Sequence, residues 1–294
     1  MILITGANGF IGTNLTKRLI KDGYSVRLFC RDVSTTKKRF PKADVVKGDI
    51  THRDTLKQAM KGVSKVVHLA GLVSYTTPES EMFRINVHGT KNVIEASGNV
   101  NKLVFASSVA VMGHIKGIAD EMYMGRPAHT YGRTKLEAEK LVLDSGINNV
   151  CLRMAPIYGA GSESWIKPIR LIEKGFPMPN IKNNMHGVHI SDVVQAFERG
   201  LNKGSGVYII ADNYPTRLTV FTGMIAAYLG RKQKIWPVWM VSFLACMSGK
   251  KREFDAFIVN RHYNISKARE ELKYEPKQEL EKGVKDMVNW YKKM

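Results

Sequence analysis

The residues that most clearly could take part in a reaction are Tyr131 and Lys135, which lie four positions apart in the run YGRTK. This spacing places both side chains on one face of a predicted helix. A phenol titrates near about pH 10 and is a poor acid–base catalyst at neutrality, but a neighbouring ammonium favours the phenolate and lowers its pKa. The pair therefore predicts proton transfer, with Tyr131 as the acid or base and Lys135 as the group that lowers the pKa of its phenol.

Two serines precede this helix at the end of a predicted strand. The strand covers residues 102–106 and runs into Ser107 and Ser108. Ligands bind at the carboxyl ends of the strands in open α/β sheets, so a hydroxyl there can hold the substrate oxygen that Tyr131 protonates. The residues predict a catalytic serine at this strand end and leave open which of the two it is.

A glycine pattern near the start of the chain predicts a nucleotide site. Gly6, Gly9 and Gly12 lie in TGANGFIG, where a predicted strand over 2–5 leads into a predicted helix over 11–22. In such a loop the glycines allow a tight turn, close approach of the backbone to a pyrophosphate, and close packing of helix on strand. The helix then presents unpaired N–H groups to the phosphates. We therefore expect a bound dinucleotide.

The end of the second predicted strand bears on which dinucleotide binds. An acidic residue there accepts hydrogen bonds from the ribose 2′-hydroxyl and repels a 2′-phosphate. Here the position holds Cys30, followed by Arg31, which can pair with a phosphate, whereas Asp32 comes later and is expected to bond locally. The sequence favours NADP, with NAD as the alternative.

These residues need a scaffold, and the hydrophobic pattern predicts a doubly wound parallel sheet of the Rossmann type with a smaller C-terminal domain. We expect residues 1–155 to form a dinucleotide-binding domain to which 188–212 return. Residues 156–187 and 213–294 are expected to form a substrate domain, because glycines and prolines break the rhythm after 156. The predicted strands cover 2–5, 25–29, 44–46, 65–69, 102–106, 150–154 and 207–210, and the predicted helices cover 11–22, 53–60, 79–96, 130–144 and 191–201.

Composition excludes several classes of protein. The 294 residues are 44% hydrophobic and 24% charged, which is ordinary globular usage, and no apolar run approaches the roughly 18–20 residues that cross a bilayer. Three scattered cysteines indicate neither a disulfide framework nor a metal site. The N-terminal run MILITGANGF lacks signal-peptide features, so we expect a cytoplasmic protein. Since its basic residues are dispersed, the net charge of +19 predicts a solvated basic surface and not nucleic-acid binding.

The chain resembles the extended short-chain dehydrogenase/reductases, the family of NAD-dependent epimerases and dehydratases, over nearly its whole length. The resemblance rests on TGANGFIG (5–12), GDI (48–50), HLAGLVS (68–74), NVHGTKNV (86–93), FASSVAVMG (105–113), YGRTK (131–135), LRMAPIYGAG (152–161) and VHISDVV (188–194). It implies Ser108 and not Ser107 as the catalytic serine, beside Tyr131 and Lys135. Asn86 matches a residue that supports the active site, and Met112 replaces a usual tyrosine. The implied cofactor-binding residues are Gly6, Asn8, Gly9, Phe10, Ile11, Gly12, Arg31, Asp49, Ile50, Leu69, Ala70, Gly71, Tyr131, Lys135 and Pro156.

Departures from the family pattern bear on the reaction. Nucleotide-sugar epimerases of the family carry an arginine near position 185, where this chain has Met185, although Lys182 or His186 could substitute for it. The acidic pair of the dehydratases is replaced by Val109 and Ala110. Residues 23–32, GYSVRLFCRD, resemble dihydroflavonol reductases and hydroxysteroid dehydrogenases, which act on apolar ketones and alcohols.

We therefore expect an NAD(P)-dependent oxidoreductase that interconverts a small-molecule ketone and a secondary alcohol. A nucleotide-sugar epimerase with bound NAD and a non-catalytic cofactor sensor are the alternatives. The resemblance also implies a homodimer formed through helices 79–96 and 130–144.

Other side chains carry weaker expectations. We expect His68 and His189 to be packing residues, whereas His114 and His129 are only candidates for the lining of the pocket. The apolar segment 235–247 is expected to pack in the core, with a substrate pocket or a membrane surface as alternatives.

Overall fold

A computed structural model describes residues 1–74, 76–123 and 125–294. Its strands, in chain order, are β1 (Ile2–Thr5), β2 (Val26–Cys30), β3 (Asp44–Lys47), β4 (Lys65–His68), β5 (Lys102–Ser108), β6 (Asn149–Met154), β7 (Ile157–Tyr158), β8 (Met178–Asn180), β9 (Asn184–Met185), β10 (Val188–His189), β11 (Gly206–Ile210), β12 (Thr216–Arg217) and β13 (Ile235–Pro237). Seven of them form a parallel sheet in the order β11-β6-β5-β4-β1-β2-β3. The predicted doubly wound sheet is confirmed.

Helices cover both faces of this sheet. In chain order, the α-helices of the described residues are α1 (Phe10–Lys21), α2 (Val33–Arg39), α3 (Arg53–Ala59), α4 (Glu79–Phe83), α5 (Gly89–Ser97), α6 (Thr130–Leu143), α7 (Ile166–Glu173), α8 (Ile190–Gly200), α9 (Leu218–Tyr228), α10 (Val238–Met247), α11 (Lys251–Phe257) and α12 (Leu280–Tyr291). Helices α1 and α8 pack together on one face, whereas α3, α5 and α6 pack side by side on the other. Most strands of the sheet read as nearly continuous apolar runs because both of their faces are buried, whereas the edge strand β3 has no buried residue.

A separate apolar cluster lies outside the sheet. It is built around Tyr158, Trp165, Phe221, Val284 and Met287, from the region in which we predicted a substrate domain. Residues 263–274 fall within the same predicted domain, yet their apolar side chains belong to another cluster, the one between the sheet and helices α1 and α8. The C-terminal part of the chain therefore contributes to both clusters.

The predicted helix over 79–96 contains an irregular turn. A π-helical turn, Arg84–His88, separates α4 from α5 and holds the buried side chain of Asn86. Such turns insert one extra residue into a helix and occur often at functional sites. Helix α2 was not predicted from the sequence. Asp32 caps it by accepting a hydrogen bond from the backbone N–H of Thr35 at 3.0 Å, which is the local bond we expected of this residue.

The expectation for segment 235–247 is wrong. Its residues form β13 and α10, and none of the residues of α10 is buried, so the segment adds nothing to the core. Its main contacts are with β8, β13 and α11, and they leave half of its residues exposed and the other half partly exposed. Across the described ranges, no helix is both long enough and apolar enough to cross a membrane.

Candidate active site

The glycine loop is shaped by close backbone contacts. Gly6 has φ +72°, and a Cβ there would lie 2.7 Å from the backbone nitrogen of Ala70. A Cβ at Gly12 would lie 2.2 Å from the carbonyl oxygen of Gly6, so neither position accepts a side chain. Gly9 is the N-cap of α1 and has no side chain to cover the first turn of the helix. The N-terminus of α1 is thus left open to a phosphate group.

A cleft of about 430 Å³ opens beside this loop. Its walls come from the carboxyl ends of β1, β4, β5 and β6, from the start of α6 and from residues 256–263. Nine of the predicted site residues line it: Gly6, Gly9, Phe10, Ile11, Gly12, Leu69, Ser108, Tyr131 and Pro156. His114 and His129, the two candidates from the sequence, line it as well. This is the position in which open α/β sheets bind their ligands.

The two serines at the end of β5 have different surroundings. The Ser107 hydroxyl is buried and donates to Glu139 Oε2 at 2.5 Å. Glu139 also pairs with Arg153 at 2.7 Å, and both side chains of that ion pair are buried. Ser108 Oγ accepts a hydrogen bond from the backbone N–H of Ala110 at 3.2 Å and keeps its own proton available to another acceptor. Ser107 therefore has a structural partner, whereas Ser108 can address a ligand.

Lys135 lies behind the cleft wall. Its side chain is buried, with Nζ 4.0 Å from the centroid of the Phe105 ring. Burial lowers the pKa of Lys135 to about 7, although Cys151 and Glu139 favour its charged form. Within the described part of the chain the ammonium has no hydrogen-bond acceptor, so a ligand hydroxyl at this point would satisfy it.

Asn86 and His68 do not line the cleft, but their hydrogen bonds connect the elements around it. The Asn86 side chain accepts from the backbone N–H of Leu72 at 2.7 Å and donates to Thr134 Oγ1 at 3.0 Å, which ties the end of β4 to α6. His68 Nδ1 lies 2.7 Å from Thr5 Oγ1 and Nε2 lies 2.9 Å from Thr90 Oγ1. Burial and the charge of Lys135 lower the pKa of His68 to about 3, so this ring is neutral. His68 is a packing residue, as expected.

A shallow depression at the ends of β2 and β3 holds the residues predicted to select the nucleotide. Arg31, Lys47 and His52 line it together with Asp49. Burial opposes ionisation of Asp49, but hydrogen bonds from Thr51 and the charge of Arg31 hold its pKa below the usual value. The depression therefore combines three basic side chains with one carboxylate.

The remaining predicted residues lie around these two places. Asn8 Nδ2 donates to Thr36 Oγ1 at 2.7 Å, whereas Asn8 Oδ1 is buried without a partner among the described residues. Ala70 donates its backbone N–H to Thr5, and Gly71 is exposed next to Asn86. Ile50 is buried against Gly89 and lines neither the cleft nor the depression. Neither Asn8 nor Lys135 lines the cleft or the depression, although Asn8 Oδ1 can still accept a hydrogen bond and the Lys135 ammonium can still donate one.

The substitutes considered for the family's arginine do not reach the cleft. His186 is buried, its Nε2 donates to the Asp212 carbonyl oxygen, and its Nδ1 accepts from the backbone N–H of Tyr263. Both ring nitrogens are therefore occupied, and His186 cannot bind a diphosphate. Lys182 is exposed away from the cleft, and Met185 is buried. His189, as expected, is a packing residue: it caps α8 through Nδ1.

Sequence reasoning missed two arginines near the site. Arg261 lines the cleft, and its guanidinium donates to the carbonyl oxygens of Ala256, Phe257 and Val259. Arg39 donates to the carbonyl oxygen of Asn8 at 3.2 Å, in the glycine loop. Neither residue lies in a motif, so only the fold brings them to the site. Among the described residues, no group of three or more His, Cys, Asp or Glu could hold a metal ion.

The parallel sheet and the glycine loop at its carboxyl edge define a Rossmann-type α/β fold. The model of the NAD-dependent epimerase/dehydratase family matches residues 2–211, well over half of the chain. The chain belongs to the NAD-dependent epimerase/dehydratase family and is an enzyme of that family, which confirms the resemblance seen in its motifs.

Individual relatives span nearly the whole chain. A 3-beta-hydroxysteroid dehydrogenase from Mycolicibacterium neoaurum is 27% identical, over 99% of this chain and 91% of the relative. A UDP-glucose 4-epimerase from Vibrio cholerae is 27% identical, over 97% and 93% of the two chains. The UDP-glucuronic acid 4-epimerase from Bacillus cereus, solved in complex with NAD, has the same fold, with a TM-score of 0.81, 20% identity and coverage of 99% and 98%.

Proposed function

We propose that this protein is an NAD(P)-dependent oxidoreductase that interconverts a ketone and a secondary alcohol on an apolar small molecule. The observation that supports this most is that Ser108 and Tyr131 line the same cleft as the glycine loop. Apolar side chains, among them Val73, Met154 and Val259, line much of the remaining wall. The similarity to hydroxysteroid dehydrogenases points to the same class of substrate.

Each residue has a distinct task in this proposal. The loop at Gly6, Gly9 and Gly12 and the first turn of α1 would bind the pyrophosphate of the cofactor. A nicotinamide cofactor accepts or donates the hydride when bound. Ser108 donates a hydrogen bond to the substrate oxygen. Tyr131 gives that oxygen a proton when a ketone is reduced and takes the proton back when an alcohol is oxidised. Lys135 stabilises the phenolate of Tyr131.

Turnover of added NADPH with a panel of apolar ketones tests this function directly. We expect one NADPH to be consumed for each ketone reduced. Lack of turnover across steroid-like and aromatic ketones, with conversion of a UDP-sugar to its epimer at no net cost in cofactor, would contradict it. Such a result would favour a nucleotide-sugar epimerase with tightly held NAD. Arg261 supports that second candidate, because it supplies a cation inside the cleft.

The proposed cofactor is NADP, because Arg31, Lys47 and His52 surround the depression where a 2′-phosphate would lie. We also propose a cytoplasmic homodimer. Its interface would include α6 and the α4–α5 segment, which already pack against one another. The three free cysteines suit a reducing compartment.

The Arg31→Ala variant tests the choice of nucleotide. We expect its affinity for NADPH to fall about tenfold, since a charge-assisted contact with the 2′-phosphate is lost, and its affinity for NADH to change little. Isothermal titration of both nucleotides measures the difference, with Lys38→Ala, an exposed cation on α2, as the matched control. Tighter binding of NADH than of NADPH by the unmodified protein would overturn the preference.

The Ser108→Ala and Ser107→Ala variants test which serine addresses the substrate. Ser108→Ala is expected to lower kcat by about one to two orders of magnitude and leave the Kd for cofactor nearly unchanged. Ser107→Ala removes the hydrogen bond to buried Glu139, so it is expected to lower thermal stability more than turnover. Steady-state kinetics and thermal melts of both variants decide the matter, and the reverse pattern would make Ser107 the catalytic serine.

A further inference from the structure

The surface of this protein carries an unusual apolar segment made by β13 and α10. In α10, Trp239, Phe243 and Met247 are 69%, 61% and 74% exposed, and Trp236 in β13 is exposed as well. Water-facing aromatic residues clustered in this way mark a surface that is covered by something else. We call residues 235–247 the apolar segment.

Basic residues flank the apolar segment on both sides. The stretch 231–252 contains no Asp or Glu. Its six cations are Arg231, Lys232, Lys234, Lys250, Lys251 and Arg252, and all are exposed. Lys251 pairs with Asp255 of α11, so carboxylates offset only part of this charge. Along the chain, the apolar segment thus lies between two groups of exposed cations, and we call these six residues the basic rim.

We propose that the apolar segment and its basic rim dock this protein on an anionic lipid bilayer. Aromatic side chains such as Trp236 and Trp239 settle at the level of lipid headgroups, and flanking lysines and arginines are attracted to anionic lipids. The ten residues of α10 form a helix about 15 Å long, roughly half the thickness of the hydrocarbon core. The segment therefore enters the interfacial layer and does not cross the membrane.

Charge favours a bilayer over a second copy of the chain. Pairing two apolar segments across a two-fold axis would bring twelve cations together, in a protein that already carries +19. An anionic surface neutralises the same residues. Within the described chain, the main contacts of α10 are with β8, β13 and α11, and they bury none of its residues.

In the sequence, the apolar segment is followed closely by residues that line the cleft, and α10 contacts α11. Helix α11 follows α10 directly, and Ala256 and Val259 from this region line the cleft. Docking would place the cleft near the membrane surface, where an apolar ketone is dissolved. This last step rests on the proposed function, whereas the docking itself does not.

Co-sedimentation of the full chain with vesicles tests the docking, and because it needs neither cofactor nor substrate its failure leaves the proposed function untouched. We expect binding to vesicles of phosphatidylcholine mixed with phosphatidylglycerol, weaker binding to phosphatidylcholine alone, and loss of binding as salt is raised. The affinity of the W239S/F243S variant for the mixed vesicles should be at least about tenfold lower. The matched control, Tyr214→Ser, removes another exposed aromatic side chain and should bind as the unmodified protein does.

A second pair of variants separates charge from apolar contact. K250E/R252E should weaken binding to the mixed vesicles, whereas K17E/K21E, the same change of charge on α1, should have a much smaller effect. Thermal melts confirm that the variants fold. Absence of vesicle binding by the unmodified protein would overturn the proposal, as would equal loss in both charge variants. So would a dimer seen by light scattering that W239S/F243S abolishes while vesicle binding persists.

Discussion

Replacing Tyr131 by Phe is expected to lower kcat by about 10²–10⁴-fold. The ring and its packing remain, but the proton that must reach the substrate oxygen is gone. Because the phenol addresses the substrate, the Kd for the cofactor should change little. Turnover of the ketone found in the substrate panel, together with titration of the cofactor, measures the two effects separately.

Tyr263→Phe is the matched control for this variant. Tyr263 lines the same cleft, and burial raises the pKa of its phenol to about 12, which makes it a poor proton carrier at neutrality. Its replacement should cost far less activity than that of Tyr131. Full activity in Tyr131→Phe would remove the proposed proton transfer and with it the family chemistry for this chain.

Replacing Lys135 by Met is expected to lower turnover by a similar factor and, unlike Tyr131→Phe, to weaken cofactor binding. The variant loses both the charge that stabilises the phenolate and the donor available to a nucleotide hydroxyl. Lys102→Met is the matched control, because Lys102, which lies on β5, is a buried lysine like Lys135. Its ammonium donates to Asn148 and Gly204, away from the cleft. Lys102→Met should therefore change stability but not nucleotide affinity.

Lys135 also makes the stability of the nucleotide-free protein depend on pH. Its pKa is about 7 in the folded protein and about 10.5 in the unfolded chain, so between these values the unfolded state binds more protons. The free energy of unfolding should therefore rise with pH across this window, by up to about 1.4 kcal/mol per pH unit from this group. Urea denaturation from about pH 7 to about pH 9 should show this rise in the unmodified protein and a smaller one in Lys135→Met. Parallel pH profiles would contradict the assignment.

Local sequence determined the parts of the site that depend on neighbouring residues. The glycine loop follows from steric limits at Gly6 and Gly12, and the shared face of Tyr131 and Lys135 follows from helical periodicity. The sheet strands were predicted to within one or two residues, since continuous apolar runs are the direct consequence of burial on both faces.

Tertiary structure alone decided the features that depend on distant partners. The different surroundings of Ser107 and Ser108 arise from Glu139, and Arg261 reaches the cleft from near the C-terminus. The apolar run 235–247 is equally compatible with a core and with a surface, because hydrophobicity records the preference of a side chain and not the presence of neighbours to satisfy it. Only the folded chain shows that β8, β13 and α11 contact α10 without burying any of its residues.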